Sequence, residues 1–303
     1  MHENKSDFCE LLSKISHETA IPEWIIEKDY YITLILKSLA AKLPFLVFKG
    51  GTSLSKCHKI INRFSEDIDL TTNSKITQGQ KYQVKAQIEN TILNLGMHLA
   101  NGDAILSKRN YNRYIIKYDT AIKDLVNALS SEIIVETVYK TTAFPTTKMP
   151  VTSIIGDYLG MIDPTILERY SLTKFVMQVQ NIERTLVDKV FAICDYYLDD
   201  KSLKNSRHIY DIFKLLPTVS LDNEFQSLVV AVRNERMKSP VCYSAKNGIN
   251  PQSILQKIVQ ERAFENDYRA VTEKILLEKV SYEEALQALI RIIESKMFVF
   301  HEM

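Results

Sequence analysis

Two short stretches decide how this chain is read: Phe45-Leu46-Val47-Phe48-Lys49-Gly50-Gly51-Thr52-Ser53, and, some fifteen residues on, Asp67-Ile68-Asp69-Leu70-Thr71. The first is an apolar run that stops at paired glycines, as a buried strand does before a tight turn, and Ser53 to Ile61 then has helical spacing. The second alternates acid and apolar residues, the pattern of a strand with one wet face. Residues i and i+2 of a strand point the same way, so Asp67 and Asp69 share one side while Ile68 and Leu70 pack on the other.

Two convergent carboxylates suit Mg²⁺, which keeps several waters and binds substrate phosphates. Alone, Asp-x-Asp is weak, because two acids at a strand end are commonly a solvated rim. The glycine block adds weight. Paired glycines allow special backbone angles and close approach of a ligand, and a helix N-terminus with Thr52 and Ser53 beside it offers N–H and hydroxyl donors. Together they make an anion site suited to a triphosphate. A plain strand–turn–helix corner would explain the glycines but not the nearby acids. Glu136 is the candidate third carboxylate, since it interrupts an apolar strand, Ile133-Ile134-Val135-Glu136-Thr137, and a charge there is costly unless paired or bound to a cation. The alternative is the wet face of an edge strand.

Outward from these blocks, Pro22 is placed to start a helix running from Glu23 to about Ala41, closed by Pro44. Gln78 to Leu95 is expected helical. Tyr111 to Tyr118 and Glu132 to Tyr139 are expected strands, with an ambiguous segment between them. Phe144 to Pro164 is expected irregular and is a candidate for the domain boundary. From about Asn181 onward the chain is expected to be nearly all helix, including Gln252–Glu265, Tyr268–Val280 and Tyr282–Phe298. The fold class is therefore α+β: a small mixed sheet flanked by helices over residues 1–164, then a helical domain over 165–303.

Composition narrows the class. Of 303 residues 46% are hydrophobic, which excludes disorder, and 38 Lys+Arg against 37 Asp+Glu leave a net charge of +1 that gives no overall nucleic-acid signal. Lys108-Arg109-Asn110-Tyr111-Asn112-Arg113-Tyr114 mixes bases with aromatics and suits either a nucleic-acid contact or a charged loop entering a strand. Cys9, Cys57, Cys194 and Cys242 form no Cys-x-x-Cys pair, and they are expected to be reduced and mostly buried. The six histidines are scattered and most are expected at the surface, with His208 set apart because it lies inside the Arg207–Asp211 block. No apolar run approaches the roughly 20 residues that cross a bilayer, and the polar N-terminus has no apolar region behind it, so a soluble cytoplasmic protein with no membrane partner is expected. P-loop, Gly-x-Ser-x-Gly and His-Glu-x-x-His motifs are absent.

Lys49-Gly50-Gly51-Thr52-Ser53-Leu54-Ser55-Lys56 and Arg63-Phe64-Ser65-Glu66-Asp67-Ile68-Asp69-Leu70 resemble the signature blocks of the AbiEii/AbiGii nucleotidyltransferase toxins, within the DNA polymerase β-like superfamily. Glu27-Lys28-Asp29-Tyr30, Glu183-Arg184-Thr185-Leu186-Val187-Asp188-Lys189 and Arg207-His208-Ile209-Tyr210-Asp211-Ile212 also resemble family segments, so the likeness spans about Pro22 to Leu216. It implies a nucleotidyltransferase core completed by the helical domain. It further implies transfer of a nucleotide from an NTP held by Lys49, Gly50, Gly51, Thr52, Ser53 and Lys189. The metal would be Mg²⁺, with Mn²⁺ as the alternative, on Asp67, Asp69 and Glu136. Lys189 would contact phosphates, and Asp211 would act beside the nucleophile or orient basic groups. Read from the residues alone, a Lys or Asp on an amphipathic helix is ordinarily solvated, and Asp211 could pair with Arg207 at i, i+4. The implied acceptor is RNA at a tRNA 3′ end, and the implied partner a cognate antitoxin of a type IV toxin–antitoxin system. Nucleotidylation of a protein or of a small molecule such as an aminoglycoside, and an idle nucleotide-binding scaffold, are the competing readings.

Overall fold

The computed structural model describes residues 1–122, 131–201, 203 and 205–300. The chain divides into two compact units, one of residues 1–57, 66–139 and 146–179, the other of residues 58–65, 140–145 and 180–303.

The first unit holds α1 (Lys5–Thr19), α2 (Glu23–Lys42), β1 (Leu46–Lys49), α3 (Gly50–Lys56), β2 (Asp67–Thr72), α4 (Gln78–Asn94), β3 (His98–Leu99), β4 (Tyr111–Lys117), β5 (Glu132–Val138), β6 (Thr146–Val151), α5 (Ile154–Ile162), α6 (Pro164–Arg169) and β7 (Phe175–Gln180). The seven strands form one mixed sheet in the order β3-β4-β5-β2-β1-β7-β6. β1 runs antiparallel to β2 and parallel to β7, while β2 runs parallel to β5. Leu46, Phe48, Ile68, Leu70, Ile133, Val135, Tyr114 and Ile116 line one face and join a core with Phe8, Leu12 and Ile15 of α1, Ile26, Ile35 and Leu39 of α2, and Val84 and Ile88 of α4. Period-2 alternation puts Lys49, Asp67, Asp69, Glu136 and Arg113 on the other face, beside the apolar Val47, Ile115 and Ile134.

The expected α2, β1, β2, α4, β4 and β5 all form. α3 starts at Gly50 rather than Ser53, directly at the end of β1, and stops at Lys56. The segment expected to be irregular, Phe144 to Pro164, contains β6 and α5. Its first half escaped notice because Thr146-Thr147-Lys148-Met149-Pro150-Val151 is an outer strand, where proline is tolerated and alternation is weak. α1 and β7 are also additional. Most of the ambiguous segment between β4 and β5 lies outside the described residues, as does His301.

The second unit is helical: α7 (Ile182–Leu198), α8 (Arg207–Leu215), α9 (Asn223–Arg236), α10 (Pro251–Glu261), the short α11 (Glu265–Asp267) and α12 (Glu273–Ile275) flanking a π turn at Tyr268–Thr272, and α13 (Tyr282–Ser295). Leu186, Val190 and Ile193 of α7 and Ile209, Ile212 and Leu215 of α8 are fully buried, as their spacing requires. The helix expected over Tyr268–Val280 breaks after Ile275. There the chain turns extended and pairs with residues 62–64: Phe64 N–H donates to the Ile275 carbonyl at 3.1 Å and Leu277 N–H to the Asn62 carbonyl at 2.9 Å. Cys57, Cys194 and Cys242 are buried, Cys9 is half-buried, and all four are free thiols. Among the described residues no helix is long and apolar enough to cross a membrane.

Candidate active site

The face of the sheet opposite that core gathers charge in one row. Register places Lys49 of β1 opposite Asp69 of β2, Asp69 opposite Glu136 of β5, and Glu136 opposite Arg113 of β4. Asp67 lies two residues from Asp69 on the same face, and both are half-buried. β5 lies between β4 and β2, so Glu136 is not on an edge strand.

The turn after β1 presses on this row. Gly50 sits at φ +78°, and a Cβ built there would stand 1.9 Å from Asp69 Oδ2. Any side chain at position 50 would collide with the Asp69 carboxylate in this arrangement. Thr52 Oγ1 donates to the Asp67 carbonyl oxygen at 2.6 Å, and Ser53 Oγ to the Gly50 carbonyl oxygen at 2.8 Å. Those hydroxyls, read from sequence as ligand donors, thus bond within the protein, and the first of them ties the glycine block to the acid strand. Gly50→Ala should lower turnover about a hundredfold, because the Cβ displaces Asp69 by an ångström or more, and should cost about 1–2 kcal/mol through the left-handed backbone. Steady-state kinetics and thermal melting check both effects.

The donor chemistry fits a hard divalent cation: carboxylate oxygens on one strand face, next to space that a Cβ at Gly50 would fill. Asp67 and Asp69 share that strand face. Glu136 is alongside by register, but its Oε1 accepts from Tyr111 Oη at 2.9 Å and lies 3.8 Å from Arg113 Nε. Among the described residues no three or more His, Cys, Asp or Glu come together as a metal site. Partial loss of solvent around the half-covered ring, and the Glu136 carboxylate after it, push the Tyr111 phenol up to about 12, so it remains a hydrogen-bond donor at neutral pH. Tyr111 and Arg113 are exposed along the outer part of this face, whereas Tyr114 is in the core.

Lys189 and Asp211 come together in the helical unit. Asp211 is fully buried, and Arg63 grips it with Nε to Oδ1 at 2.7 Å and Nη2 to Oδ2 at 2.8 Å, while Lys189 Nζ reaches Oδ2 at 2.7 Å. Neither Lys189 nor Asp211 is solvated, contrary to the ordinary expectation for such helix positions. Burial opposes ionisation of Asp211, but the Arg63 guanidinium and then the Lys189 ammonium prevail and hold its carboxyl well below the usual range. Burial also pulls the Lys189 ammonium down; Asp211 opposes that and Arg63 adds to it. The His208 ring stacks on Tyr196 at 5.4 Å, and its Nδ1 is buried without a hydrogen-bond partner. Burial, helped by Lys189, drives that imidazole well below its ordinary value, so it stays neutral. Arg63 opens the second signature block, where nothing local marks its role. Its partner lies 148 residues away, a pairing that local pattern does not carry. His2 and His58, expected at the surface, are half-buried, and a ring nitrogen of His58 lies 3.0 Å from the Gln180 carbonyl oxygen.

The model of the family described as nucleotidyl transferase AbiEii toxin, type IV toxin–antitoxin system, matches residues 34–289. The chain belongs to the AbiEii family. It is therefore a nucleotidyltransferase of the toxin class of type IV systems. The AbiEii match begins after Glu27-Lys28-Asp29-Tyr30 and continues well beyond Leu216, so family likeness extends through helices that carried no recognisable motif. Among solved structures, MenT4, the nucleotidyltransferase toxin Rv2826c from Mycobacterium tuberculosis H37Rv, is similar at 15% identity with a TM-score of 0.52, covering 94% of this chain and 88% of that one. At that identity the likeness concerns the fold. No curated protein is similar enough in sequence to match.

Proposed function

We propose that this AbiEii-family enzyme moves a nucleoside monophosphate from an NTP to a hydroxyl of an RNA acceptor, with a tRNA 3′ end the favoured target, using Asp67 and Asp69 as its metal-binding and catalytic pair. The observation that supports this best is the abutment of Gly50 on Asp69: a backbone turn able to follow a polyphosphate lies against two carboxylates on one strand face. Mg²⁺, or Mn²⁺ in its place, held by Asp67 and Asp69 with Glu136 as the further donor, would supply charge neutralisation to the phosphates. Gly50 and Gly51 give the triphosphate close access to main-chain N–H groups, and Lys49, Thr52 and Ser53 shape that turn. By family resemblance Lys189 contributes its ammonium to the phosphates, and Asp211 orients the basic groups around it. The acceptor hydroxyl attacks the α-phosphorus, the bond to the bridging oxygen breaks, and pyrophosphate leaves. The protein's part is positioning and charge compensation. A cognate antitoxin and a cytoplasmic setting accompany this reading.

Each α-labelled NTP, incubated with the protein and total cellular RNA and protein, tests the acceptor. Label on a small RNA band is expected, and it names the nucleotide. Label on protein alone, or only on a small molecule such as an aminoglycoside, would overturn the RNA assignment. Nucleotide binding without any label transfer would leave a scaffold in place of the enzyme.

A further inference from the structure

Three consecutive charged residues of α2, Glu27, Lys28 and Asp29, are tucked into the first unit, with Glu27 fully buried and Lys28 only 2% exposed. Successive helix positions diverge by about 100°, so the three side chains reach three different places. Glu27 accepts from Thr120 Oγ1 at 2.6 Å and from Ala121 N–H at 2.7 Å. Lys28 Nζ donates to Glu66 Oε2 at 2.6 Å. Asp29 accepts from the Lys56 ammonium through Oδ1 and from Ile154 N–H, at 2.7 Å, through Oδ2. Glu66 is the residue before Asp67, and Lys56 is the last residue of α3, which opens at Gly50. One turn of α2 therefore holds both the entry to the acid strand and the far end of the glycine helix.

Stability alone is a poor reason for this arrangement. Lys28 is buried and gives up its water, while Glu66 is 41% exposed, so a carboxylate partly screened by solvent recovers little more than the desolvation cost of the ammonium. What such a pair does supply is a fixed direction and distance. We infer that Lys28 is a positioning residue for nucleotidyl transfer: through its ion pair with Glu66 it fixes where Asp67 presents its carboxylate. The inference rests on the acid pair being the metal-binding and catalytic pair, and on nothing in the family match, which begins at residue 34.

The test is the double variant Lys28→Met/Glu66→Gln, which removes one positive and one negative charge and leaves the local charge sum unchanged. A change in cation affinity then reports geometry rather than charge. Thermal melting, Mn²⁺ binding without nucleotide, and transfer kinetics are measured on the full chain beside wild type and Asp67→Ala. The expected result is a melting temperature close to wild type, Mn²⁺ affinity weakened about fivefold or more, and kcat reduced about tenfold or more with KM for the NTP little changed. A merely structural role would lower the melting temperature and leave the kcat of the folded fraction intact, which would overturn the inference. So would a stable double variant with wild-type Mn²⁺ affinity and turnover, provided Asp67→Ala loses both. Should Asp67→Ala itself keep wild-type Mn²⁺ affinity, the assignment of the acid pair fails first and the inference with it. Where the double variant does not fold, Lys28→Arg, which keeps the charge but moves the donor atoms, carries the same kinetic and Mn²⁺ expectations.

Discussion

Asp67→Ala is expected to lower nucleotidyl transfer about a thousandfold or more, the factor that several kcal/mol of lost charge stabilisation at the phosphates represents. The fold should survive. The bond from Thr52 Oγ1 goes to the main-chain carbonyl of Asp67, so truncating the side chain leaves the glycine block tied to β2. The neighbours that seat the strand, Ile68 and Leu70, are fully buried on the opposite face and are untouched. Far-UV circular dichroism and the melting temperature should therefore match wild type while kcat collapses. Loss of activity in parallel with loss of structure would point instead to a packing role.

The largest effect on stability is expected from Asp211→Ala. Removing this carboxylate leaves the Arg63 guanidinium and the Lys189 ammonium facing each other in a buried site, and breaking a buried pair from one side costs about 3–5 kcal/mol. The pH dependence has a definite sign. Because the folded-state value of Asp211 lies below its ordinary 3.8, its contribution is fully present above that pH and is lost as the pH falls below it toward the folded value. Denaturant melts at neutral pH should therefore show the full deficit of Asp211→Ala, and melts carried into acid below 3.8 should show the gap to wild type narrowing. A gap that is constant through the acid range would contradict the assignment of this ion cluster.

How much of this was legible beforehand follows from the range of each interaction. β1, its glycine turn and β2 can be read because an apolar run, a pair of glycines and an acid–apolar alternation are local signals. Their one consequence that could not be read is the close approach of Gly50 to Asp69, which depends on antiparallel register. β7 was missed although Phe175-Val176-Met177-Gln178-Val179-Gln180 carries strand-forming residues. Its place beside β1 comes from a parallel pairing across about 130 residues of chain, which no window of sequence contains. α1 had its signal, with Phe8, Leu12 and Ile15 at helical spacing behind the N-cap Asn4, and went unread. The opposite error fell on Tyr268–Val280, where helical periodicity was overridden by the pairing of Ile275 and Leu277 with residues 62–64. In the candidate site, the residue types were readable, but which charges meet was not. Lys28 with Glu66 and Arg63 with Asp211 are joined only by the fold.

The most direct measurement follows both ends of the NTP at once, with α-label and γ-label in separate reactions, for wild type and Asp67→Ala/Asp69→Ala, with Mg²⁺ and with chelator. The α-label is expected to become attached to the acceptor while the γ-label is released as pyrophosphate in equal amount, and chelation or the double variant should abolish both. Release of γ-label as inorganic phosphate without α-label transfer, or full transfer by the double variant, would contradict that expectation.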